Sequence, residues 1–282
     1  MNILFVCSGN TCRSPMAEGY LNSKNITSLN ALSCGFISEG EKASENAVAV
    51  MKEIGVDIAA HKSRLASNGL LAADKIFCMT PAHKNALALA GVSPDKISVL
   101  AGGISDPYGR DISVYRQCRD EITAAIDNAL YGGEMLPVKI LTADESDAAD
   151  IADLEKQVFS SPWSENAVSE GMRHNTVFFK AVYKGDFAGY AGVTAVAGEG
   201  YINNIAVKDG FRGKGVGSLL LDRAITFARA EQLDFLSLEV RKSNAAAIRL
   251  YRKAGFETAG ERKSFYEDPR EDGIIMTRRF RL

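Results

Sequence analysis

Up to about residue 130, short apolar runs alternate with amphipathic stretches that open on a cap and close on glycine. Residues 2–7 are apolar almost throughout, the pattern of a strand buried on both faces. A polar loop follows, and a helix opens at Ser14-Pro15, where a small polar cap and a first-turn proline are favoured. Residues 46–54 have helical spacing and stop at Gly55; residues 75–79 form a strand. Thr80-Pro81 opens a helix that Gly91 ends, residues 97–100 form a strand, and residues 112–130 form the last helix. Strands separated by helices predict a parallel sheet covered on both faces, with its ligand beyond the carboxyl ends of the strands.

The pattern breaks at Tyr131-Gly132-Gly133-Glu134-Met135-Leu136-Pro137. This divides the chain into a domain over residues 1–132, a linker over 133–137 and a second domain over 138–282. Downstream come a strand, helices over 148–157 and 165–171, and then consecutive strands over 176–183, 187–196 and 201–207. Turns at Lys184-Gly185-Asp186 and Gly198-Glu199-Gly200 join them, so this sheet is mixed and largely antiparallel. A further helix spans 218–230. The fold class is α/β in two domains.

Composition narrows the function. The 33 basic and 35 acidic side chains leave a net charge of −2, and neither half is biased. No basic excess marks a direct nucleic-acid binder. No apolar run approaches the ~20 residues of a membrane span, and residues 1–7 lack the basic region of a signal peptide. All five cysteines (Cys7, Cys12, Cys34, Cys78 and Cys118) precede residue 136, an odd count that reads as reduced thiols in a cytoplasmic protein. No pair has zinc-ribbon spacing and the three histidines are scattered, so no metal site is expected.

The loop Cys7-Ser8-Gly9-Asn10-Thr11-Cys12-Arg13-Ser14 lies between the first strand and first helix. Its backbone N–H groups can converge on a phosphate at the helix N-terminus, and Gly9 and Asn10 tolerate the dihedrals such a nest needs. The same positive end favours a thiolate at Cys7, and the planar fork of Arg13 suits two phosphate oxygens. The competing reading is a small apolar cysteine ending a buried strand.

Val6-Cys7-Ser8-Gly9-Asn10-Thr11-Cys12-Arg13-Ser14-Pro15-Met16-Ala17-Glu18 closely resembles the active-site loop of the low-molecular-weight protein phosphatases. Cys78-Met79-Thr80 with His83-Lys84, and Asp106-Pro107-Tyr108-Gly109, are similar to later segments of that family. The resemblance covers about 130 residues and implies a four-stranded parallel, doubly wound sheet. It makes Cys7 the nucleophile, Arg13 the phosphate clamp and Asp106 the general acid and then base. Ser8 to Cys12 would hold the phosphate, and Ser14 would steady the thiolate. Phosphorylated proteins would be the substrates. Thr11 resembles the bacterial protein-arginine phosphatases, whereas tyrosine-directed relatives usually carry an aliphatic residue there. Phosphoarginine is therefore favoured, with phosphotyrosine the alternative. The related arsenate reductases relay oxidation through a downstream cysteine pair, and Cys78 has no such partner nearby. A reversible Cys7–Cys12 disulfide that protects the nucleophile is a further expectation. A different class of reading is a non-catalytic phosphoprotein-binding module guiding the second domain.

In the second half, Phe211-Arg212-Gly213-Lys214-Gly215-Val216-Gly217 joins a strand to the 218–230 helix. Glycines at such a turn let backbone approach an anion, although the spacing fits neither G-x-x-x-x-G-K-[ST] nor G-x-G-x-x-G. With Leu238-Glu239-Val240-Arg241-Lys242-Ser243-Asn244, Leu250-Tyr251, Gly255-Phe256 and Ser161-Pro162-Trp163-Ser164, it resembles the RimI family of ribosomal-protein alanine N-acetyltransferases within the GNAT acetyltransferases. That likeness covers about residues 137–282 and implies acetyl-CoA as co-substrate and a ribosomal-protein N-terminus as acceptor. Arg212, Gly213, Lys214, Gly215, Val216, Gly217 and Ser218 would hold the pyrophosphate. Ile205, Ala206, Val207 and Asn244 would hold the pantetheine arm. Glu239 would be the base, through water, and Tyr251 the acid that protonates the departing thiolate. Taken singly, these residues read as a strand charge, a helix aromatic and a helix cap.

Overall fold

The computed structural model describes residues 1–280, which form two compact units, residues 1–130 and residues 131–280. In the first, β1 (Asn2–Val6), α1 (Arg13–Ser23), β2 (Asn30–Cys34), α2 (Glu45–Glu53) and α3 (Asn68–Leu71) precede β3 (Lys75–Cys78), α4 (Pro81–Leu89), β4 (Ile97–Val99) and α5 (Ile112–Tyr131). The four strands make one parallel sheet in the order β2-β1-β3-β4. Alternate residues point to opposite faces of a strand, and here both faces are covered. Leu4, Val6, Cys34, Ile76 and Cys78 share a core cluster with Leu87 of α4, while Ile3, Phe5 and Phe77 between them are equally buried. Val6 sits opposite both Cys34 and Cys78, so three strands end together beneath the loop that starts at Cys7.

Helix starts follow the cap chemistry of the sequence. Thr80 Oγ1 accepts from the His83 N–H at 3.3 Å with Pro81 in the first turn of α4, and Ser44 caps α2 through Ala47. Strand β2 was not among the elements read from the pattern.

The second unit contains β5 (Val138–Thr142), α6 (Ala148–Val158), α7 (Glu165–Arg173), β6 (Thr176–Tyr183), β7 (Asp186–Val196), β8 (Glu199–Val207), α8 (Val216–Ala230), β9 (Phe235–Arg241), α9 (Ala245–Lys253), β10 (Glu257–Glu267) and β11 (Arg270–Arg279). Its seven strands run in the order β10-β11-β9-β8-β7-β6-β5. Only β8 and β9 are parallel, and they pair over just three positions, from Glu199 opposite Phe235 to Tyr201 opposite Ser237. Beyond these the two strands part. The turns that set this register are Lys184-Gly185 and Ala197-Gly198, all with positive φ, so the second turn lies one residue earlier than the sequence pattern indicates. The core of α6, α7 and the sheet contains Ile151, Leu154, Val168, Phe178 and Tyr190.

Candidate active sites

The loop from Cys7 to Ser14 crosses the carboxyl ends of β1, β2 and β3 and runs into α1. Asn10 takes a left-handed conformation (φ 52°), and its backbone N–H donates to Cys7 Sγ at 3.2 Å. Ser14 Oγ lies 3.0 Å from the same sulfur. A backbone N–H and a hydroxyl thus converge on one sulfur. The Asn10 side chain ties the loop to its surroundings. Its Nδ2 donates to Ser14 Oγ at 2.8 Å and Ser33 Oγ at 2.7 Å, and its Oδ1 accepts from the Arg64 N–H at 2.8 Å. Ser33 in turn donates to Glu18, which pairs with Arg64. Both polar atoms of the fully buried Asn10 side-chain amide are therefore used.

Arg13 is 3% exposed. One terminal nitrogen donates to the Ile104 carbonyl at 3.0 Å and the other pairs with Asp106. Its Nε is buried without a partner, an unmet donor that a phosphate oxygen would satisfy. Asp106 is 46% exposed at the side chain, and its second oxygen accepts from the Tyr108 N–H at 3.2 Å. Cys7, Arg13 and Asp106 line one cavity of about 370 Å³ together with Ser8, Thr11 and Cys12. Its volume suits a phosphorylated side chain.

His83 reaches this loop from α4. Its Nε2 lies 3.0 Å from Ser8 Oγ and its Nδ1 3.0 Å from Thr80 Oγ1. Burial, helped by the Arg13 charge, holds its pKa below the ordinary histidine value, against an opposing pull from Asp106. A neutral ring can accept at one nitrogen and donate at the other, which fixes the Ser8 hydroxyl. Burial pushes the Cys34 and Cys118 thiols up to about 12, and Cys78 is raised for the same reason. Cys12 Sγ donates to Ser44 Oγ at 3.4 Å and lies 3.3 Å from the Tyr115 hydroxyl.

Gly35 is a support that the sequence pattern did not single out. A Cβ there would stand 2.5 Å from the Ser8 carbonyl oxygen and 2.8 Å from the Asn10 nitrogen, both of them backbone. Gly35→Ala is expected to cost about 2–3 kcal/mol of stability, as overpacking against rigid atoms does. Because it displaces the loop, it should also lower phosphate release about a hundredfold. Chemical denaturation and a release assay on the same preparation check both.

In the second unit, the residues of β8 after Tyr201 pair with β7 on one side only. Their backbone groups on the β9 side form no ladder, over the stretch that contains Ile205, Ala206 and Val207. Asn203 is the extra residue of a bulge between the Ile202 and Asn204 pairs, which increases the twist where the strands separate. The loop before α8 bends through Gly213 (φ 74°) and Gly215 (φ 84°), and it ends on the N-terminus of a fifteen-residue helix. Uncapped N–H groups there, at the positive end of the helix, suit a diphosphate. Lys214 lies over the Tyr183 and Phe211 rings at 5.0 and 5.4 Å. Arg212 is turned to the Asp209 carboxylate at 2.8 Å and the Val207 carbonyl at 3.2 Å.

Glu239 lies on β9 at the cleft, 3.3 Å from Arg262. Tyr251 on α9 is buried against Phe256, and burial pushes its phenol well above the ordinary tyrosine value. Asn244 Oδ1 caps α9 by accepting from the Ala247 N–H at 3.1 Å. Glu155, a charge the sequence pattern had not singled out, is fully buried on α6. It accepts from the Tyr190 hydroxyl, from Asn204 Nδ2 at 2.7 Å and from the Trp163 N–H at 2.9 Å. Burial raises its pKa. This carboxyl joins the Ser161-Pro162-Trp163 loop to two strands of the sheet. No group of three or more metal-ligating side chains occurs among the described residues.

Two family models match the chain: low molecular weight phosphotyrosine protein phosphatase over residues 2–139, and the acetyltransferase (GNAT) family over residues 148–256. A protein-arginine-phosphatase of Geobacillus stearothermophilus is 40% identical over 134 residues, covering 44% of this chain and 90% of that protein. An Escherichia coli ribosomal protein bS18-alanine N-acetyltransferase is 36% identical over 125 residues, covering 44% of this chain and 84% of that protein. The chain belongs to both families. It joins a low-molecular-weight protein phosphatase to a GNAT acetyltransferase, a family that uses acetyl-CoA. An arsenate reductase 1 of Staphylococcus epidermidis is also 38% identical over 125 residues, covering 44% of this chain and 92% of that protein. No helix among the described residues of either unit is long and apolar enough to cross a membrane.

Proposed function

We propose that the phosphatase unit, residues 1–132, removes phosphate from arginine side chains of proteins through a cysteinyl-phosphate. The observation that carries this reading is the buried, unpartnered Nε of Arg13, in one cavity with Cys7 and Asp106. The Cys7 thiolate attacks phosphorus in line, forming the S–P bond as the P–N bond breaks. Asp106 gives its proton to the leaving guanidine nitrogen. Water then attacks the S–P bond, Asp106 takes its proton, and phosphate leaves with the thiolate restored. Arg13 and the N–H groups of Ser8 to Ser14 offset the charge that gathers on the equatorial oxygens.

Thr11 and the likeness to protein-arginine-phosphatases support arginine as the phosphorylated residue. An arsenate reductase relay is not supported, because Cys78 and Cys118 are buried, their thiols are pushed up in pKa, and each donates to a backbone carbonyl. Peptides differing only in phosphoarginine or phosphotyrosine should be dephosphorylated with kcat/KM at least about tenfold higher for the former. Faster turnover of phosphotyrosine overturns the assignment.

The acetyltransferase unit, residues 138–282 after a linker at 133–137, is proposed to transfer acetyl from acetyl-CoA to the N-terminal alanine of a ribosomal protein. The parting of β8 from β9 carries this reading, since it leaves the backbone from Ile205 to Val207 without a strand partner on the β9 side, where a pantetheine amide could be held. Gly213 to Ser218 would hold the pyrophosphate and Asn244 the arm. Glu239, through water, would take a proton from the amine, which titrates near 7.7–8 and needs only mild assistance. Tyr251 would return one to the departing CoA sulfur. Acetyl transfer to a peptide beginning with alanine, against one blocked at its amine, tests it. Both activities suit a reducing, cytoplasmic setting.

A further inference from the structure

Two carboxylates line the cavity above Cys7, and the scheme above uses only Asp106. The second, Glu41, sits in a segment whose backbone is firmly held. Its N–H donates to Ser63 Oγ at 3.0 Å, its carbonyl accepts from the Ser63 N–H at 2.7 Å, and the neighbouring Gly40 N–H donates to the Ser63 carbonyl at 2.8 Å. Lys42 and Lys62 complete a bridge between the two stretches. The backbone is therefore fixed while the side chain has no hydrogen-bond or ion-pair partner among the described residues.

An unpaired carboxylate is out of place in a cavity built for an anion, because it repels the phosphate that the rest of the site attracts. It becomes favourable when the group behind the phosphate carries N–H donors. A phosphorylated guanidino group does, in a planar arrangement that a carboxylate can accept bidentately. A phosphorylated phenol offers no donor at all, since its bridging oxygen can only accept. Ile37 and Tyr108, exposed to 74% and 72%, stand on the same cavity and can flank the aliphatic stem of an arginine.

We infer that Glu41 is a specificity-determining residue of this site, its carboxylate accepting hydrogen bonds from the guanidino nitrogens of phosphoarginine that are not transferred. The inference rests on the phosphoarginine reading above. It separates the two phosphorylated residues by an attraction that one can meet and a repulsion that the other cannot escape.

The test measures kcat/KM for wild type, Glu41→Gln and Glu41→Ala on two peptides that differ only in phosphoarginine or phosphotyrosine. The ratio of the two constants should fall about tenfold in Glu41→Gln and further in Glu41→Ala, mainly through a higher KM for phosphoarginine. A ratio is independent of the fraction of folded enzyme. A ratio unchanged from wild type, whether both activities fall or neither does, overturns the role of Glu41. Should wild type itself prefer phosphotyrosine, the phosphoarginine reading fails and Glu41 falls with it. A wild type that prefers phosphoarginine with an unmoved ratio in the variants removes Glu41 alone.

Discussion

Cys7→Ser is expected to lower phosphate release by at least about 10⁴-fold, since removing a nucleophile abolishes the covalent route and leaves only binding and charge stabilisation. Serine keeps the size of the residue and leaves the surrounding hydrogen bonds available. What it lacks is a stable anion. The Asn10 N–H and the Ser14 hydroxyl can support a thiolate at 3.2 and 3.0 Å, but no basic group stands beside this atom to remove a hydroxyl proton. Phosphopeptide binding by the same preparation reports that the phosphatase unit is folded. The measurement also separates an enzyme from a phosphoprotein-binding module. A module would bind phosphopeptide with Cys7 intact yet release no phosphate, and its behaviour would not depend on this thiol. Wild-type release by the serine variant removes Cys7 from the mechanism.

Tyr251→Phe is expected to reduce kcat for acetyl transfer by about 10²–10³-fold, the range over which a positioned general acid acts. The ring stays against Phe256, so packing and unfolding temperature change little. The phenol is protonated at neutral pH by its ordinary pKa and burial raises that further, so the proton is present but is given up only to a strongly basic group such as a departing thiolate. The loss should lie in kcat with KM for acetyl-CoA little affected, because in the proposed scheme the hydroxyl would act on the departing sulfur. Near-full kcat in the phenylalanine variant assigns the acid elsewhere.

The sequence pattern is most informative where burial and caps agree. Strand β1, the helix opening at Thr80-Pro81 and the chain of strands from β6 to β8 all follow from apolar runs and turn residues. Strand β2 does not, because Asn30-Ala31-Leu32-Ser33-Cys34 mixes polar and small residues at the edge of its sheet. Its Ser33 serves the Asn10 network, so a position that would carry an apolar residue for packing carries a hydroxyl for the site. The long strand β10 is polar and exposed for most of its length and has no hydrophobic alternation to betray it. Among site residues, Cys7, Arg13 and Ser14 were legible because they share one short loop. Asp106 was legible only by resemblance, since an Asp-Pro pair by itself reads as a turn. Glu155, Gly35 and His83 depend on partners 35 or more residues away or on the approach of another segment, as with Glu155 to Tyr190 and Asn204 and His83 to Ser8. No local pattern encodes that.

On the proposed function, the pairing of Arg13 with Asp106 would make substrate entry a competition between anions. The guanidinium already has a carboxylate, so a phosphate that takes the open Nε also competes with Asp106 for the neighbouring terminal nitrogen. In the proposed scheme the displaced carboxylate can then take up a proton from solvent and turn to the leaving nitrogen. One contact would thus couple occupation of the cradle to the release of Asp106, which an empty cradle keeps tethered.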